Sequence, residues 1–556
     1  MKTLKPELFS VMKTYSKEQC VKDIIAGIIV AIIALPLSIA LALASGVSPE
    51  QGLYTAIVAG FIISFCGGSR VQIAGPTAAF ASTVAVIVAK NGMNGLIITT
   101  LLAGIILILM GLLRMGSLIR FIPYTITTGF TAGIAITIVV GQLKDFLGLT
   151  FSSPIETVEK VEAVVSNIHN VNSMALAIGI LSLAILILWP KVNEKIPASL
   201  IAIVVAAGLV KIADLKVNTI GDLYTISSSL PRISMPTLDV QTIWTVLPDA
   251  FTIAVLAAIE SLLCCVVSDG MIGSKHNSNM ELVAQGIGNT FSALFGGIPA
   301  TGAIARTAAN VKNGGRTPVA GMVHGIVLLL ILVFFMPYAS LIPMPTIAAI
   351  LFVVAYNMSE WRQFVSIIKT SPKSDITVLV LTFVLTVVFD LVVAIGVGLV
   401  VAAVLFMKRM ADVSEVSGWV YIDNPNEKKE EMPDSNCIGH KMVPENTLVY
   451  EVTGPMFFGA AENFTNIIVD AKKEVVIVRM SNVPAMDASG LRCLEKLHQA
   501  CMKHGIVLVL SHVKEQPLSV LKKSGLDCKI GKENLCPNID AALTRAEEIG
   551  EETVSA

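Results

Sequence analysis

A single carboxylate interrupts an apolar stretch near the middle of the chain. Glu260 lies in a hydrophobic span that runs from about Phe251 to Val267. A charged side chain inside a bilayer is costly, so we expect Glu260 to face the protein interior or a water-filled cavity. It could bind and release a proton during a transport cycle, or stay charged beside a cation. A structural glutamate that joins helices by hydrogen bonds is the alternative.

Two other apolar segments, one in each half of the chain, are broken by glycine and proline. The first is 70–79, where Gly75 precedes Pro76, and the second is 295–307, which contains Pro299. Non-helical backbone at membrane depth is tolerated only inside protein or beside a watery cavity. A helix that starts there presents free N–H groups and the positive end of its dipole. Two such starts near the midplane predict an anion site without a metal, and a simple kink in each helix is the alternative.

Arg306 lies in the first turns of the second broken helix. It could complement an anion or pair with Glu260, and a purely structural salt-bridge arm is equally compatible with the sequence.

The composition indicates that lipid is the solvent for most of the chain. Of 556 residues, 54% are hydrophobic and 15% charged, and the mean hydropathy is +0.75. Apolar runs of bilayer-spanning length recur up to about Met410. We predict an N-terminal cytoplasmic segment (1–22), a transmembrane transport domain (23–411), a charged linker (412–445) and a soluble domain with a C-terminal tail (446–556).

The placement of cations predicts the orientation of about fourteen membrane segments. With a cytoplasmic N-terminus, most short loops assigned to the inside carry Lys or Arg, as the positive-inside rule requires. These are Arg70, Arg114, Arg120, Lys191, Lys195, Lys275, Lys312, Arg316, Arg362, Lys369, Lys373, Lys408 and Arg409. Both termini are then cytoplasmic. A net charge of −1 gives no indication of a nucleic-acid partner.

The cysteines argue against a disulfide framework and a structural zinc site. Nine are present, and no two have CxxC spacing. We expect no metal or other cofactor, and a soluble domain that faces a reducing cytoplasm.

The segment after the linker predicts a small α/β domain. Strands at 448–452, 475–479 and 506–510 alternate with amphipathic helices. The loop 483–491, which contains Ser489, enters a helix and could cap it or bind phosphate.

These features together resemble the SulP anion transporters, whose C-terminal module is a STAS domain. The resemblance covers nearly the whole chain and rests on the run 45–54, the two broken segments and the run 487–490. Within the family, the runs 260–264, 269–271, 275–276, 281–283 and 303–306 are most similar to the bacterial C4-dicarboxylic acid transporters. Succinate, fumarate or aspartate are then the leading substrates, with sulfate or bicarbonate as the alternative.

The resemblance implies an all-α polytopic membrane domain of two inverted repeats of seven segments. It implies that this domain is divided into a core and a gate that move as an elevator, and that the protein is a homodimer in the bacterial inner membrane. It also implies the substrate-binding residues, which are Thr77, Ala78, Gly302, Ala303 and Ile304, with Glu260 as the acidic residue of the eighth span. Arg306 completes the expected site.

Ser489 matches a serine that is phosphorylated in related anti-sigma-factor antagonists, which implies a possible regulatory site and a cytoplasmic protein partner for the STAS domain.

Two departures from the family pattern bear on the mechanism. The family often has glutamine after the proline of the first span, where this chain has Leu37. Sodium-coupled bicarbonate members have threonine where this chain has Cys264, and a thiol is a poor sodium ligand. The sequence therefore favours coupling to protons through Glu260.

Other classes of function fit less well. An uncoupled anion channel or motor needs a continuous polar pore, and the spans contain few charged residues. A membrane sensor needs an output domain, and no kinase, cyclase or DNA-binding signature is found in the sequence. We expect no enzyme activity for the same reason. The predicted partners are a small anion, a proton and the lipid bilayer.

Overall fold

The computed structural model describes residues 4–117, 122–151, 154, 156–193, 196–224, 228–237, 239–389, 391–419, 443–460 and 473–554. Arg120, Lys195 and residues 420–442 of the predicted linker lie outside the described residues. The chain forms two compact units, Met1–Val400 and Val401–Ala556, and each is described by itself.

The first unit is made almost entirely of helices. In chain order they are α1 (Glu7–Val11), α2 (Lys17–Ala44), α3 (Pro49–Cys66), α4 (Ala78–Leu112), α5 (Tyr124–Leu147), α6 (Thr157–Ser166), α7 (Ser173–Val192), α8 (Ala198–Ile212), α9 (Ile220–Leu223), α10 (Val240–Ile272), α11 (Ser278–Leu294), α12 (Ile304–Lys312), α13 (Val319–Phe335), α14 (Met344–Met358), α15 (Trp361–Thr370), α16 (Lys373–Val388) and α17 (Leu391–Val413), which crosses into the second unit. Two short strands, β1 (Ala74–Gly75) and β2 (Thr301–Gly302), precede α4 and α12. Within the described residues, seven helices are long and apolar enough to cross a membrane.

Helix α4 consists of two helices that are joined at Gly92. Gly92 has φ 65° and ψ −172°, a left-handed conformation that interrupts the helical hydrogen bonding and that favours glycine. With α4 counted as two, with α12 included because it follows β2 as α4 follows β1, and with α1, α6, α9 and α15 set aside, the described residues contain fourteen helical segments. The predicted polytopic helical domain is confirmed.

The helices pack in pairs that correspond between the two halves of the unit. Helix α2 packs on α13 as α10 packs on α4, and α3 packs on α13 as α11 packs on α4. Likewise, α5 packs on α16 as α14 packs on α7. Two repeats related by a two-fold axis produce this correspondence. The two short strands, β1 before α4 and β2 before α12, pair with each other in antiparallel register.

The second unit contains a five-stranded sheet with helices. Its elements are β3 (Glu415–Trp419), β4 (Thr447–Thr453), β5 (Val475–Asn482), α18 (Ala488–Lys503), β6 (Val507–Ser511), α19 (Glu515–Ser524), α20 (Leu526–Ile530), β7 (Leu535–Cys536) and α21 (Ile539–Val554). The strand order is β3-β4-β5-β6-β7, with β4 to β7 parallel and β3 antiparallel to β4. The three predicted strands and the α/β class are confirmed.

The apolar residues of the central strands explain why this sheet is covered by helices on two faces. Residues 475–480 of β5 are all buried, as in parallel strands with helices on both sides. One set of buried residues, including Val476 and Leu508, packs against Leu494 and Leu497 of α18. The other set, including Ile477, packs against α21.

Candidate anion site

The first broken segment connects α3 to α4 through extended backbone. Its peptide groups are satisfied by side chains from α12 and by the second broken segment. Ile73 N–H donates to Thr307 Oγ1 at 3.0 Å, and Asn310 Nδ2 donates to Val71 O at 2.8 Å. Ala303 N–H donates to Ile73 O at 2.9 Å. Non-helical backbone is therefore stable here without water.

The second broken segment, between α11 and α12, is held in the same way. The side-chain amide of Asn289 both accepts from Ala300 N–H and donates to Ala300 O, each at 2.8 Å, as a neighbouring strand would. Ile298 N–H donates to Thr55 Oγ1 at 2.7 Å, and Thr301 Oγ1 donates to Ala257 O at 3.1 Å. These contacts fix the chain immediately before α12.

Pairing of β1 with β2 brings the two helix starts together. Ala74 lies opposite Gly302, and Gly75 opposite Thr301. Helix α4 begins three residues after β1 and α12 two residues after β2, and no side chain caps either helix. The N–H groups of the first two residues of each helix thus remain available to an anion, and both dipoles favour negative charge there.

Glu260 of α10 reaches the start of α4. Its carboxylate Oε2 accepts a hydrogen bond from Thr77 Oγ1 at 3.1 Å, and Thr77 is the residue that precedes the first turn of α4. The side chain is only partly buried. A titratable carboxyl group is therefore placed beside one of the two helix starts, although Thr77 and Glu260 are 183 residues apart in sequence.

Arg306 lies within the first turn of α12 and is 2% exposed. Its Nη2 donates to Pro76 O at 3.1 Å, whereas its Nη1 has no hydrogen-bond partner. Among the described residues it forms no ion pair with Glu260. The guanidinium group packs against Gly75, where a Cβ atom would collide with Nη1. Its charge is therefore uncompensated beside the backbone of the first broken segment.

The other predicted residues of this site surround the paired strands. Ala78 and Gly302 are buried, Thr77 and Ala303 are partly buried, and the Ile304 side chain is 40% exposed. Thus the structure brings together Thr77, Ala78, Glu260, Gly302, Ala303, Ile304 and Arg306 at one place.

Ser489 lies in the second unit, at the second position of α18. Its backbone N–H donates to Asp487 Oδ1 at 2.8 Å, and Gly490 N–H donates to the same atom at 2.9 Å. The cap of this helix is therefore Asp487, and the Ser489 side chain is not needed for capping.

Several buried polar residues were assigned no role from the sequence. Glu281 is fully buried on α11, where its carboxylate accepts hydrogen bonds from Gly68 N–H, Ser69 N–H and Gln285 Nε2. Glu281, Gln285 and Asn289 recur at intervals of four residues, and this helical spacing is a signal that could have revealed them. Glu281 is saturated with donors, which distinguishes it from Glu260.

Two histidines also have environments that the sequence did not indicate. His276 Nδ1 lies 2.7 Å from Asp269 Oδ2 and its Nε2 lies 2.9 Å from Ser278 Oγ, so it closes the turn between α10 and α11. His324 on α13 is fully buried, and neither ring nitrogen has a hydrogen-bond partner.

Comparison with protein families agrees with both units. The profile of the sulfate permease family matches residues 21–382, and the STAS domain profile matches residues 441–542.

Individual relatives match over most of their length. YvdB of Bacillus subtilis, named as a candidate sulfate transporter, is 39% identical over 541 residues, which are 95% of this chain and 98% of YvdB. The bicarbonate transporter BicA of Picosynechococcus is 31% identical over 496 residues, 85% of each chain.

Solved structures show the same architecture. SLC26A9 superposes with a TM-score of 0.87 at 19% identity over 98% of this chain and 93% of its own. The transmembrane domain of a cyanobacterial BicA superposes with a TM-score of 0.62 at 30% identity, over 70% of this chain and 98% of that domain.

A helical membrane unit in which two broken helices meet at paired strands, followed by a STAS domain, defines a multi-pass membrane transporter. The chain belongs to the sulfate permease (SulP/SLC26) family and is an anion transporter.

Proposed function

We propose that this protein is a secondary active carrier that couples anion uptake to proton uptake. The observation that carries the proposal is the hydrogen bond from Thr77 to Glu260, which places a titratable carboxyl group beside an uncapped helix start. Protonation of Glu260 removes a negative charge from the site, so the anion binds more tightly. By linkage, the bound anion also favours the proton on Glu260.

The anion-binding groups in this proposal are the backbone and one cation. The starts of α4 and α12 contribute N–H groups, and Arg306 contributes a guanidinium group whose Nη1 is unpartnered. The residues assigned to substrate are Thr77, Ala78, Gly302, Ala303, Ile304 and Arg306.

Protons fit the residues beside Glu260 better than sodium does. The thiol of Cys264 donates to Thr307 Oγ1 at 3.3 Å, one helical turn along α10 from Glu260. A thiol is a weaker sodium ligand than a hydroxyl group. The coupling ion is therefore assigned as a proton.

For the substrate, we propose C4-dicarboxylates such as succinate, fumarate or aspartate. The proposal rests on the similarity of the runs 260–264, 269–271, 275–276, 281–283 and 303–306 to carriers of these acids. A second candidate is sulfate or bicarbonate, which is favoured by the names of YvdB and BicA. Helix dipoles and a guanidinium group attract all of these anions, so the proposal requires the side chains around the site to distinguish a C4-dicarboxylate from sulfate and bicarbonate.

We propose an elevator mechanism in a homodimer, and the division of the helices into two groups within the chain supports the elevator. Helices α2 to α4 and α10 to α13 form the core that holds the site, and α5, α7, α8, α14 and α16 form the gate. Because the hydrogen bonds at the site link core elements to one another, the core can move as one body past the gate.

For the second unit, we propose a cytoplasmic regulatory role. The proposed parts are an N-terminal cytoplasmic segment (1–22), the transport domain (23–411), the linker (412–445) and the STAS domain with its tail (446–556). The linker includes β3, which belongs to the sheet of the second unit. Ser489 is a candidate phosphorylation site, and its modification at the start of α18 would alter the surface offered to a cytoplasmic protein partner.

Uptake of labelled succinate into proteoliposomes tests the substrate assignment, with sulfate and bicarbonate as unlabelled competitors. We expect saturable succinate uptake that neither inorganic anion inhibits. Flux of sulfate or bicarbonate without succinate uptake would show that the substrate is an inorganic anion, and the assignment of the site residues would stand. A steady anion conductance in planar bilayers would overturn the carrier and indicate a channel.

A further inference from the structure

The side chain of Gln72 bridges the first broken segment and the helix that carries Glu260. Gln72 is 5% exposed and lies two residues before β1. Its Nε2 donates to Ser261 O at 3.1 Å, and its Oε1 accepts from the Cys265 thiol at 3.3 Å. A buried primary amide is costly unless both ends are bonded, and here both are.

The two partners on α10 lie one turn apart, and the first of them is next to Glu260. The second lone pair of a helical carbonyl group is free to accept from a side chain, as Ser261 O does here. The Gln72 amide therefore spans a full turn of α10 and fixes the backbone next to the Glu260 carboxyl group.

The same amide also lies against β2. A Cβ atom at Gly302 would overlap the Gln72 side chain, so a larger residue at this position requires the amide to move. Gly302 pairs with Ala74 of β1, and the adjacent Thr301 donates to Ala257 O of α10. Gln72 thus fills the space where β1, β2 and α10 meet.

We infer that Gln72 is a positioning residue, which sets the distance between Glu260 and the two helix starts. The inference rests on the proposed role of Glu260 as the proton-carrying group. Without the amide, α10 loses one of its side-chain contacts with the first broken segment, and the hydrogen bond from Thr77 to Glu260 fixes their separation less firmly. Both anion affinity and the pH dependence of uptake should change.

A substitution that preserves length tests the hydrogen bonds separately from the volume. Gln72→Met keeps an unbranched side chain and removes both polar ends. We expect a KM about tenfold higher, a displaced midpoint in the pH profile of uptake and a folded yield close to that of the unmodified protein. A Gln72→Met variant with unchanged KM and pH profile would overturn the inference.

A milder pair of variants controls for misfolding. Cys265→Ala removes one donor to Gln72, whereas Cys265→Ser retains a donor at the same position. We expect Cys265→Ala to shift the pH midpoint in the same direction as Gln72→Met by a smaller amount, and Cys265→Ser to restore it. Equal pH midpoints for these two variants would also contradict the inference.

A double-mutant cycle tests the contact with β2. Gly302→Ala should displace the Gln72 amide, so its effect and that of Gln72→Ala should not add. We expect the double variant to be no worse than Gln72→Ala alone in KM and in the midpoint of thermal unfolding in detergent. Effects that multiply in KM and add in the unfolding midpoint would show that the two residues act independently.

The unfolding midpoints separate this inference from the proposed function. If the unmodified protein shows no pH-dependent uptake, proton coupling fails. Non-additive unfolding midpoints would then still establish that Gln72 connects the first broken segment to α10 and β2. Additive midpoints would show that it does not.

Discussion

At the scale of single residues, two acids in the same membrane unit have different environments and therefore different expected roles. Glu281 accepts three hydrogen bonds and is fully buried, as expected of a carboxylate that holds structure together. Glu260 accepts one, from Thr77, and is only partly buried. The sequence revealed Glu260 because it interrupts an apolar run, but its partner depends on tertiary contact.

Replacing each acid by its amide should separate these roles. Glu260→Gln cannot exchange a proton, so we expect uptake that no longer varies with external pH. Glu281→Gln should keep the pH profile and reduce the amount of folded protein, because the amide cannot accept at both oxygens. The measurement is initial uptake rate against pH, normalised to folded protein. An unchanged pH profile in Glu260→Gln would exclude this residue as the proton carrier.

Arg306 should contribute to anion affinity through its charge. Loss of a charged donor to a bound anion costs about 1.5–3 kcal/mol, so Arg306→Ala should raise KM about 10- to 100-fold. Arg70→Ala is the matched control, since that exposed cation pairs with Glu7 and not with a residue assigned to substrate. An Arg306→Ala variant with reduced folded yield and normal KM would indicate that Arg306 has a structural role only.

At the scale of elements, the broken segments are predictable from glycine and proline, but their fixation is not. The sequence places both breaks correctly, because non-helical backbone needs these residue types. The bonds from Asn289 to Ala300 and from Asn310 to Val71 cross between elements and could not be read from local pattern. The strand pairing that joins the two helix starts is likewise a property of the assembled repeats.

Asn289 offers a direct test of how the second broken segment is held. Asn289→Leu leaves the N–H and C=O of Ala300 buried without partners, at about 1–3 kcal/mol for each group. We expect a clearly lower midpoint of thermal unfolding in detergent. Asn313→Ala, which removes an exposed amide contact on α12, should leave the midpoint nearly unchanged. Equal midpoints for the two variants would show that the Asn289 bonds do not fix the segment.

At the scale of the whole molecule, the sequence distinguishes a lipid-embedded unit from an α/β unit by composition alone. The division at Val400/Val401 falls inside the continuous helix α17, and composition has no means to show such a boundary. The correspondence of helix pairs between the two halves appears only in the assembled packing.

Thiol labelling tests the proposed cytoplasmic location of the STAS domain. Cys528 is exposed, whereas Cys501 is buried, and burial raises the pKa of the Cys501 thiol to about 11. Because the thiolate is the reactive form, Cys501 should stay unlabelled at pH 8. In variants in which Cys528 or Cys501 is the sole remaining cysteine of the chain, a membrane-impermeant maleimide is added to spheroplasts. It should label Cys528 after permeabilisation but not before. Labelling of Cys528 in intact spheroplasts would place the domain outside.

The central claim is that protons drive anion accumulation through Glu260, and gradient-driven uptake in proteoliposomes tests it most directly. With an inward proton gradient, the unmodified protein should accumulate labelled anion above the external concentration and lose it when a proton ionophore collapses the gradient. Glu260→Gln should only equilibrate the anion. Accumulation that is indifferent to the ionophore, or that persists in Glu260→Gln, would contradict the account.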